Sequence, residues 1–329
     1  MQLGELPSRY VNRMITKTLK IGFIGAGKWI QTYHLPTARK LSKESQLVLS
    51  GIWNRTKTTA TVLKDEFMID EVFDSAEQLM CSSHIDGVVI AVSREITASI
   101  LRLAHKYQKP VLVEKPPARD YNEALLLAKD VTNPILVAFN RAFTPLFSKL
   151  KEMDVGLIKT GKVMFHRRER SDPQFVLESG IHALMNNHLL FGEGTLIECK
   201  KVPTMNPKVP RWIATVSYPT MQNTIIEYDF HPYSNQAIER YVYSSDTKAI
   251  QAFFNQHYAP DDDERLETTL NNGNTSVIEF GSYEPLLRQG YIGEYEAFIS
   301  MIQRGKNSPI TLNDTIAIMH LATQIQECL

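Results

Sequence analysis

The chain has 329 residues, with 36 Lys and Arg against 36 Asp and Glu, and 43% of its residues are hydrophobic. This length and composition predict two domains of a globular protein. The balanced charge argues against a surface for nucleic acid or an anionic membrane, and no apolar run is long enough to span a bilayer. We therefore expect a cytoplasmic protein whose partner is a small-molecule substrate.

The N-terminal segment and the cysteines fit this expectation. Residues 1–18 are predicted to form a tail, because they are polar and lack the apolar stretch of a secretory signal. Cys81, Cys199 and Cys328 are odd in number, far apart and without CxxC or CxxH spacing. This pattern predicts reduced thiols rather than a disulfide framework or a zinc site.

The first half of the chain alternates apolar strands with helical patterns. Strands are predicted at about 21–24, Leu47–Trp53, 72–73, 87–92, 110–113 and 134–139, and helices at 28–41, 56–66, from Ser75, 96–107 and 121–129. The segment 87–92 is a nearly continuous apolar run, as expected for a strand that is buried on both faces. The alternation predicts an α/β domain with a doubly wound parallel sheet over residues 19–140.

A glycine turn joins the first predicted strand to its helix. Gly25 would allow the tight turn, and Gly27 would let a pyrophosphate approach the backbone. The helix from Lys28 would offer free N–H groups to that phosphate. Ile30 occupies the third position of the G-x-G-x-x-G pattern, so the match is incomplete and a plain strand–helix turn is the alternative.

Ligands of doubly wound sheets bind beyond the carboxyl ends of the strands. The turns at these ends therefore lie around one crevice, although they are far apart in sequence. Besides the glycine turn with Ile30, the predicted cofactor contacts are Trp29, Asn54, Arg55, Lys57, Ala91, Val92, Ser93, Glu114, Lys115 and Asn140.

The residues after the second strand predict which dinucleotide binds. An acidic side chain there would accept hydrogen bonds from the ribose hydroxyls of NAD and would repel a 2′-phosphate. The segment contains Asn54, Arg55 and Lys57 and no acidic residue. Because Arg55 can form a forked, charge-assisted contact with a phosphate, we predict that NADP(H) is preferred over NAD(H).

The second half, residues 141–329, predicts an α+β domain with a mostly antiparallel open sheet. Predicted strands are 161–170, 212–218, 224–230, Ile238–Ser244 and 275–280. Predicted helices are 145–153, 175–191 and 292–304. A last helix is predicted to start at Asn313 as N-cap and to run to about 327. The acidic run 261–264 is interpreted as a solvated loop rather than a metal site, because no ordered ligand spacing accompanies it.

Several motifs resemble those of the Gfo/Idh/MocA oxidoreductases, the family of glucose–fructose oxidoreductase and the inositol dehydrogenases. They are Gly25-Ala26-Gly27 followed by His34-Leu35-Pro36, the run 85–91, Val113-Glu114-Lys115-Pro116, Phe139-Asn140-Arg141 with Phe143 and Pro145, Gly180-Ile181-His182, and Gly290-Tyr291 ahead of Phe298. The resemblance covers nearly the whole chain from about Leu19. It implies a Rossmann domain, a C-terminal domain whose open sheet often forms a homo-oligomer (dimer or tetramer), and hydride transfer with NAD or NADP.

The resemblance also implies catalytic roles. His182 would be the acid/base residue, for which the pKa range of histidine is suitable. Glu178 lies four residues earlier, so on a helix it would share a face with His182 and orient the imidazole; a helix-surface ion pair is the alternative. Lys115 would hydrogen-bond the reacting oxygen, and an ordinary solvated lysine past a strand is the alternative. No metal is predicted, since His188 would point away from the face of Glu178 and His182.

The chain also departs from the family pattern. Glu178 and Met185 stand where the family often has Asp, Thr97 stands near a position that is often His, and Ala142 stands where a second Arg is frequent. These departures concern positions around the predicted substrate. A specific substrate is therefore not carried over from the sugar and inositol enzymes. Four arginines could contact an anionic substrate, and ordinary solvated side chains are the alternative: Arg141, Arg167, Arg168 and Arg170.

Together these observations predict an oxidoreductase that acts at a secondary alcohol or ketone of a sugar, cyclitol or related polar metabolite. One alternative keeps the fold and reduces an imine in a biosynthetic pathway. Another is a non-catalytic, dinucleotide-binding regulatory protein, although the presence of both Lys115 and His182 argues against it.

Overall fold

The computed structural model describes residues 17–44, 46–254 and 264–329. Within these ranges the first half of the chain forms a five-stranded sheet and the second half an eight-stranded sheet, each with helices packed against it. This arrangement confirms the predicted fold class. The predicted tail lies outside the described residues except for its last two positions. None of the helices in the described ranges is long and apolar enough to cross a membrane.

The N-terminal sheet has the strand order β2-β1-β3-β4-β5, and all its pairings are parallel. Its strands are β1 Leu19–Ile24, β2 Leu47–Trp53, β3 Gly87–Ile90, β4 Val111–Glu114 and β5 Ile135–Ala138. Its helices are α1 Leu35–Lys43, which continues a π-helical turn at Ile30–His34, α2 Lys57–Phe67, α3 Ala76–Cys81, α4 Arg94–Lys106 and α5 Tyr121–Asp130. The predicted strand at 72–73 is reduced to a single parallel bridge between Val72 and Ile52. Every residue of β3 is buried, which explains its unbroken apolar sequence.

The C-terminal sheet is antiparallel except for the parallel pair β6–β9. Its strands are β6 Thr160–His166, β7 Thr195–Val202, β8 Arg211–Tyr218, β9 Thr224–His231, β10 Ile238–Ser244, β11 Lys248–Phe253, β12 Arg265–Leu270 and β13 Thr275–Glu279. The accompanying helices are α6 Pro145–Glu152, α7 Ile181–Phe191, α8 Pro285–Arg288, α9 Tyr291–Arg304 and α10 Leu312–Glu327. Buried and half-buried residues alternate along β8, so one face of the sheet carries the core.

Strands β7, β11 and β12 were not predicted from the sequence. β7 and β12 have mostly half-buried or exposed residues, and β11 has two buried positions. A strand with little buried surface does not need the alternating apolar pattern by which strands are recognised. These three strands are held in the sheet by pairing with their neighbours, which is not visible in the local sequence.

The last helix begins earlier than predicted. Thr311, rather than Asn313, is its N-cap. The Thr311 hydroxyl accepts a hydrogen bond from the backbone N–H of Asp314, and the Asp314 carboxylate accepts one from the backbone N–H of Thr311. This capping box satisfies two N–H groups at the helix start and fixes the boundary there.

The prediction of reduced thiols is wrong for two of the three cysteines. Cys199 on β7 and Cys328 at the end of α10 form a disulfide, with their Cα atoms 5.2 Å apart, whereas Cys81 is free and exposed. The paired cysteines are separated by 129 positions in sequence. Helix α10 packs on β7 and β8 and carries its C-terminal end to the edge of the sheet. Helix packing therefore creates the pair, and no local spacing indicates it.

The acidic run lies mostly outside the described residues, which exclude 255–263. Glu264 is described, and it is buried with 3% of its surface exposed. The interpretation as a solvated loop is therefore wrong for this residue. Its carboxylate lies 3.8 Å from the guanidinium of Arg288, which compensates part of the cost of burial.

Candidate functional site

A cavity of about 700 Å³ opens beyond the carboxyl ends of β1 to β4. Its wall combines the turns after these strands with the segment 170–179 from the second half of the chain. The lining residues are Gly25, Ala26, Gly27, Lys28, Trp29, Trp53, Asn54, Arg55, Ala91, Val92, Ser93, Ile96, Glu114, Lys115, Arg170, Asp172, Glu178 and Ser179. Most of the residues predicted from the sequence are thus brought together, because parallel strands deliver their carboxyl ends to one edge of the sheet.

The two glycines of the turn differ in what they permit. Gly25 has φ of +109°, and a Cβ on it would lie 2.2 Å from the carbonyl oxygen of Ala91, so the fold requires glycine there. A Cβ on Gly27 would meet no atom within 4 Å. Gly27 therefore leaves bare backbone beside the cavity, as the approach of a pyrophosphate requires. The residues present fit a dinucleotide, which Gly25–Lys28 would hold by its phosphates.

The turn after β2 contributes Asn54 and Arg55 to the cavity wall. The Asn54 side-chain amide donates a hydrogen bond to the carbonyl oxygen of Thr56 at 3.1 Å, which stabilises the turn. Arg55 is exposed, so its guanidinium is free to meet a ligand from solvent. Lys57 instead forms an exposed ion pair with Asp74 at 2.5 Å and does not line the cavity.

Lys115 is fixed at the end of β4 by contacts on both sides. Its ammonium donates a hydrogen bond to the main-chain carbonyl oxygen of Glu178 at 2.6 Å. Its backbone N–H donates to Oε2 of Glu114 at 3.2 Å, and Oε1 of Glu114 lies 3.0 Å from Nε2 of the buried His34. Burial lowers the pKa of Lys115, and the nearby Arg141 lowers it further, whereas Glu114 opposes both effects. A lysine with a lowered pKa exchanges a proton more readily near neutral pH.

Glu178 lies in a π-helical turn, Val176–Gly180, immediately before α7. Its carboxylate pairs with Arg94 at 2.9 Å, so the structure assigns it a partner other than the imidazole of His182. Burial raises the pKa of Glu178, and a hydrogen bond with Asp172 raises it further, whereas Arg94 acts in the opposite direction. π-Helical turns are frequent at functional sites, and this one presents the carbonyl group that holds Lys115.

Three other predicted site residues lie away from the cavity wall. Ile30 is fully buried in the core of the N-terminal domain, where its side chain packs rather than meets a ligand. The Asn140 amide donates to the carbonyl oxygen of Gln289 at 2.9 Å and joins β5 to the start of α9. His182 is buried with 7% of its surface exposed, and its ring lies edge-on to Phe139 with centroids 5.7 Å apart. His182 is therefore close to the residue that follows β5, and it does not line the cavity.

The structure adds residues that the predicted site did not include. Asp172 and Ser179 line the cavity, and Arg94 reaches the same wall through Glu178 and Gln174. Arg94 and Gln174 are 80 positions apart in sequence. No motif marks these residues, because they meet only when the segment 170–179 folds over the ends of the parallel strands.

Metal coordination was not predicted. Within the described ranges, no group of three or more His, Cys, Asp or Glu side chains is arranged to hold a metal ion. His188, the third member of the disfavoured metal site, forms an ion pair with Asp314 at 3.3 Å.

The sequence is similar to a family of oxidoreductases and to individual proteins of other organisms. Residues 19–137 match the model of the Gfo/Idh/MocA family, described as an oxidoreductase family with an NAD-binding Rossmann fold. The uncharacterized oxidoreductase YrbE of Bacillus subtilis is 23% identical over 341 aligned positions, which cover 96% of this chain and 95% of YrbE. The uncharacterized protein YMR315W of Saccharomyces cerevisiae is 26% identical over 158 residues. That match covers 47% of this chain and 44% of the yeast protein, so the chain spans less than half of that relative.

Solved structures share the fold. The dehydrogenase MviM from Clostridium difficile superposes with a TM-score of 0.80 at 21% identity, over 95% of this chain and 100% of MviM. The 3-ketoreductase KijD10 from Actinomadura kijaniata, solved with NADP and TDP-benzene, gives a TM-score of 0.75 at 14% identity, over 94% of this chain and 98% of KijD10. At these identities the likeness establishes the fold.

The glycine cradle, the fold and the family match together define an NAD(P)-dependent oxidoreductase with an N-terminal Rossmann domain. Residues 19–137 carry the match to the Gfo/Idh/MocA oxidoreductase family.

Proposed function

We propose that this protein transfers hydride between NADP(H) and a secondary alcohol or ketone of a sugar, cyclitol or related polar metabolite. The observation that carries the proposal is the position of Lys115. Its ammonium reaches the cavity wall beside the glycine turn and is held there by the carbonyl oxygen of Glu178. A polar group in this place can hydrogen-bond the reacting oxygen of a substrate that is bound next to the dinucleotide.

The proposed preference for NADP(H) rests on the turn after β2. Arg55 is exposed and lines the cavity, and the segment 54–57 contains no carboxylate to repel a 2′-phosphate. A guanidinium offers a phosphate two parallel hydrogen bonds together with its charge. The Actinomadura kijaniata ketoreductase of the same fold is described with NADP, which is consistent with this preference.

The proposed reaction consists of a proton transfer and a hydride transfer. In alcohol oxidation, Lys115 in its neutral form accepts the hydroxyl proton, and in ketone reduction its protonated form returns a proton to the same oxygen. His182 is proposed as the acid/base residue that exchanges this proton, as the family resemblance implies. The bound nicotinamide supplies the hydride acceptor or donor. The lowered pKa of Lys115 makes its neutral form accessible at a lower pH than for a solvated lysine.

Binding titrations of the purified, nucleotide-stripped protein with NADPH and NADH test the proposal first. We expect tighter binding of NADPH, followed by turnover in a panel of sugars, cyclitols and their ketones that also contains cyclic imines. Tighter binding of NADH would contradict the role of Arg55. Preferential reduction of imines would contradict the proposal that hydride is transferred at the carbon of an alcohol or ketone. If neither dinucleotide binds, the proposed function is wrong.

We further propose that the protein forms a homo-oligomer through the face of the C-terminal sheet that lies opposite its core. Half-buried and exposed side chains on this face include Ile213 on β8 and Ile225 on β9. Light scattering after size-exclusion chromatography would give the number of subunits. A monomer at micromolar concentration would contradict this part of the proposal.

A further inference from the structure

Two largely buried arginines share one carboxylate in the second half of the chain. Nε of Arg141 lies 2.6 Å from Oε1 of Glu239, and a terminal nitrogen of Arg167 lies 2.7 Å from Oε2. The Glu239 side chain is fully buried, and about a tenth of each arginine side chain is exposed. The Arg167 guanidinium also lies 3.7 Å from the centre of the Phe165 ring. Two positive charges thus meet one negative charge in a largely desolvated place.

The buried acid Glu264 does not balance this cluster. Burial raises the pKa of Glu264 to about 8, although Arg288 and Arg141 oppose the effect. A carboxyl group with this pKa is mostly protonated at neutral pH and contributes little negative charge. Arg288, 3.8 Å from Glu264, adds a further cation. Burying unbalanced charge is costly, so the cluster is best compensated by an anion from outside the chain.

Arg141 lies beside Lys115. Glu114 at the end of β4 is in register with Ala138 at the end of β5, so the residues that follow each strand run side by side. The charge of Arg141 is one of those that lower the pKa of Lys115. Among the described residues, Arg141 uses Nε for its hydrogen bond to Glu239, and its two terminal nitrogens make no hydrogen bond. About a tenth of the Arg141 side chain is exposed, so it retains some access to solvent.

We propose that the substrate carries a carboxylate or phosphate group, and that Arg141 binds this group while the reacting oxygen lies at Lys115. This inference rests on the proposed function and specifies its substrate class. The free edge of the Arg141 guanidinium matches a planar carboxylate or a phosphate, with which it can form two charge-assisted hydrogen bonds. Glu239 and Arg167 act as positioning residues, because they hold the Arg141 side chain in place.

Isothermal titration of the NADPH-saturated protein with malonate, inorganic phosphate and the neutral malonamide tests the proposal. Saturation with NADPH fills the Arg55 region, so anion binding there does not interfere. We expect saturable binding of at least one anion and none of malonamide. Tighter binding of malonate would identify a carboxylate substrate, and tighter binding of phosphate would identify a phosphorylated one.

Variants locate the binding to Arg141. Arg141→Gln should weaken anion binding by roughly tenfold or more, since the charge and the forked hydrogen bonds are both lost. Arg141→Lys keeps the charge and should retain part of the affinity. This result would show that the loss of binding in Arg141→Gln is not caused by misfolding. Arg168→Gln is the matched control, because Arg168 is exposed and near Arg167 in sequence; it should bind anions like the unmodified protein.

The proposal is overturned if the unmodified protein binds neither anion saturably, or if Arg141→Gln binds the anions as tightly as the unmodified protein. The NADPH titration separates this result from the proposed function. Normal NADPH binding without anion binding rejects only the anionic substrate. Absence of NADPH binding rejects the proposed function itself. In that case, anion titrations of the nucleotide-free protein and of Arg141→Gln still decide whether Arg141 binds anions.

Discussion

The ammonium of Lys115 donates a hydrogen bond to the main-chain carbonyl oxygen of Glu178 across 2.6 Å, and the two residues are 63 positions apart in sequence. This contact joins the end of a Rossmann strand to the π-helical turn that precedes α7. Because it uses one of the three ammonium protons, it fixes the lysine and leaves other protons for a substrate. The main chain of one half of the protein thus places the proposed catalytic group of the other.

Replacing Lys115 by Met should lower turnover by roughly 10²–10⁴-fold, because the group that contacts the reacting oxygen is lost. The affinity for NADPH should stay within about twofold, since the phosphate cradle is untouched. Lys109→Met is the matched control. Lys109 is also partly buried and donates to the carbonyl oxygens of Ser82 and Ile85, so its loss should affect stability rather than turnover. Steady-state kinetics that show no loss in Lys115→Met would contradict the proposed role.

Replacing His182 by Ala should also lower turnover by roughly 10²–10⁴-fold with cofactor binding intact. This prediction tests whether a buried imidazole that does not line the cavity takes part in proton transfer. The measurement is turnover with the best substrate of the panel, together with an NADPH titration. If His182→Ala retains full turnover while Lys115→Met does not, Lys115 handles the proton without His182.

Substitutions at the two glycines should separate folding from binding. Gly27→Val should keep the stability of the unmodified protein and lose NADPH binding, because a side chain there projects into open space where phosphates approach. Gly25→Ala should lower the free energy of unfolding by at least about 1 kcal/mol, because alanine is strained at φ of +109° and its Cβ would overlap the Ala91 carbonyl. Urea unfolding and NADPH titration measure both. Normal NADPH affinity in Gly27→Val would place the dinucleotide elsewhere.

Replacing Arg55 by Asp should change the ratio of NADPH to NADH affinity by roughly tenfold or more in favour of NADH. The aspartate would repel a 2′-phosphate and accept hydrogen bonds from ribose hydroxyls. Arg168→Asp makes the same charge change at an exposed position and should leave the ratio unaltered. Fluorescence titration with both nucleotides gives the ratio directly, and an unchanged value in Arg55→Asp would refute the assignment.

The stability of the C-terminal sheet should depend on pH through Asp229. Burial alone would raise the pKa of Asp229, but hydrogen bonds with His166 and Arg211 outweigh it and lower the pKa from 3.8 to about 2. The ionised form is therefore favoured in the folded protein. It contributes on the order of 2 kcal/mol above about pH 4, and this contribution is lost as the pH falls towards 2.

Asp229→Asn tests this dependence, since the amide keeps the shape and removes the titrating group. Urea unfolding between pH 6 and about pH 3 should show the unmodified protein losing its advantage over the variant as acid is added. A difference in the free energy of unfolding that is independent of pH would contradict the prediction.

The sequence predicted the N-terminal domain closely because the signals for that domain are local. A parallel strand that is buried on both faces must be apolar throughout, as β3 is, and a turn with positive φ selects glycine, as at Gly25. The C-terminal sheet was predicted less completely. Its half-exposed strands, such as β7, need no strong apolar pattern and are stabilised by pairing with neighbours.

The candidate site shows the same division. Helical spacing predicted that Glu178 would face His182, but the carboxylate pairs with Arg94, which arrives from a distant helix. Lys57 was predicted to contact the cofactor, but its ammonium forms an ion pair with Asp74. In both cases the sequence shows that the side chain is charged, but the packing of distant elements decides which group it pairs with.

The amino-acid sequence by itself determined the order of strands and helices in the N-terminal half, the glycine turn, and the absence of an acid after β2. These features follow from backbone conformation and hydrophobic burial over a few neighbouring residues. Only the tertiary structure decided that Lys115 meets Glu178, that Arg141 and Arg167 share Glu239, and that Cys199 joins Cys328. Such partners are separated by 63 to 129 positions or lie on different elements, and their contacts arise from how helices and sheets pack together.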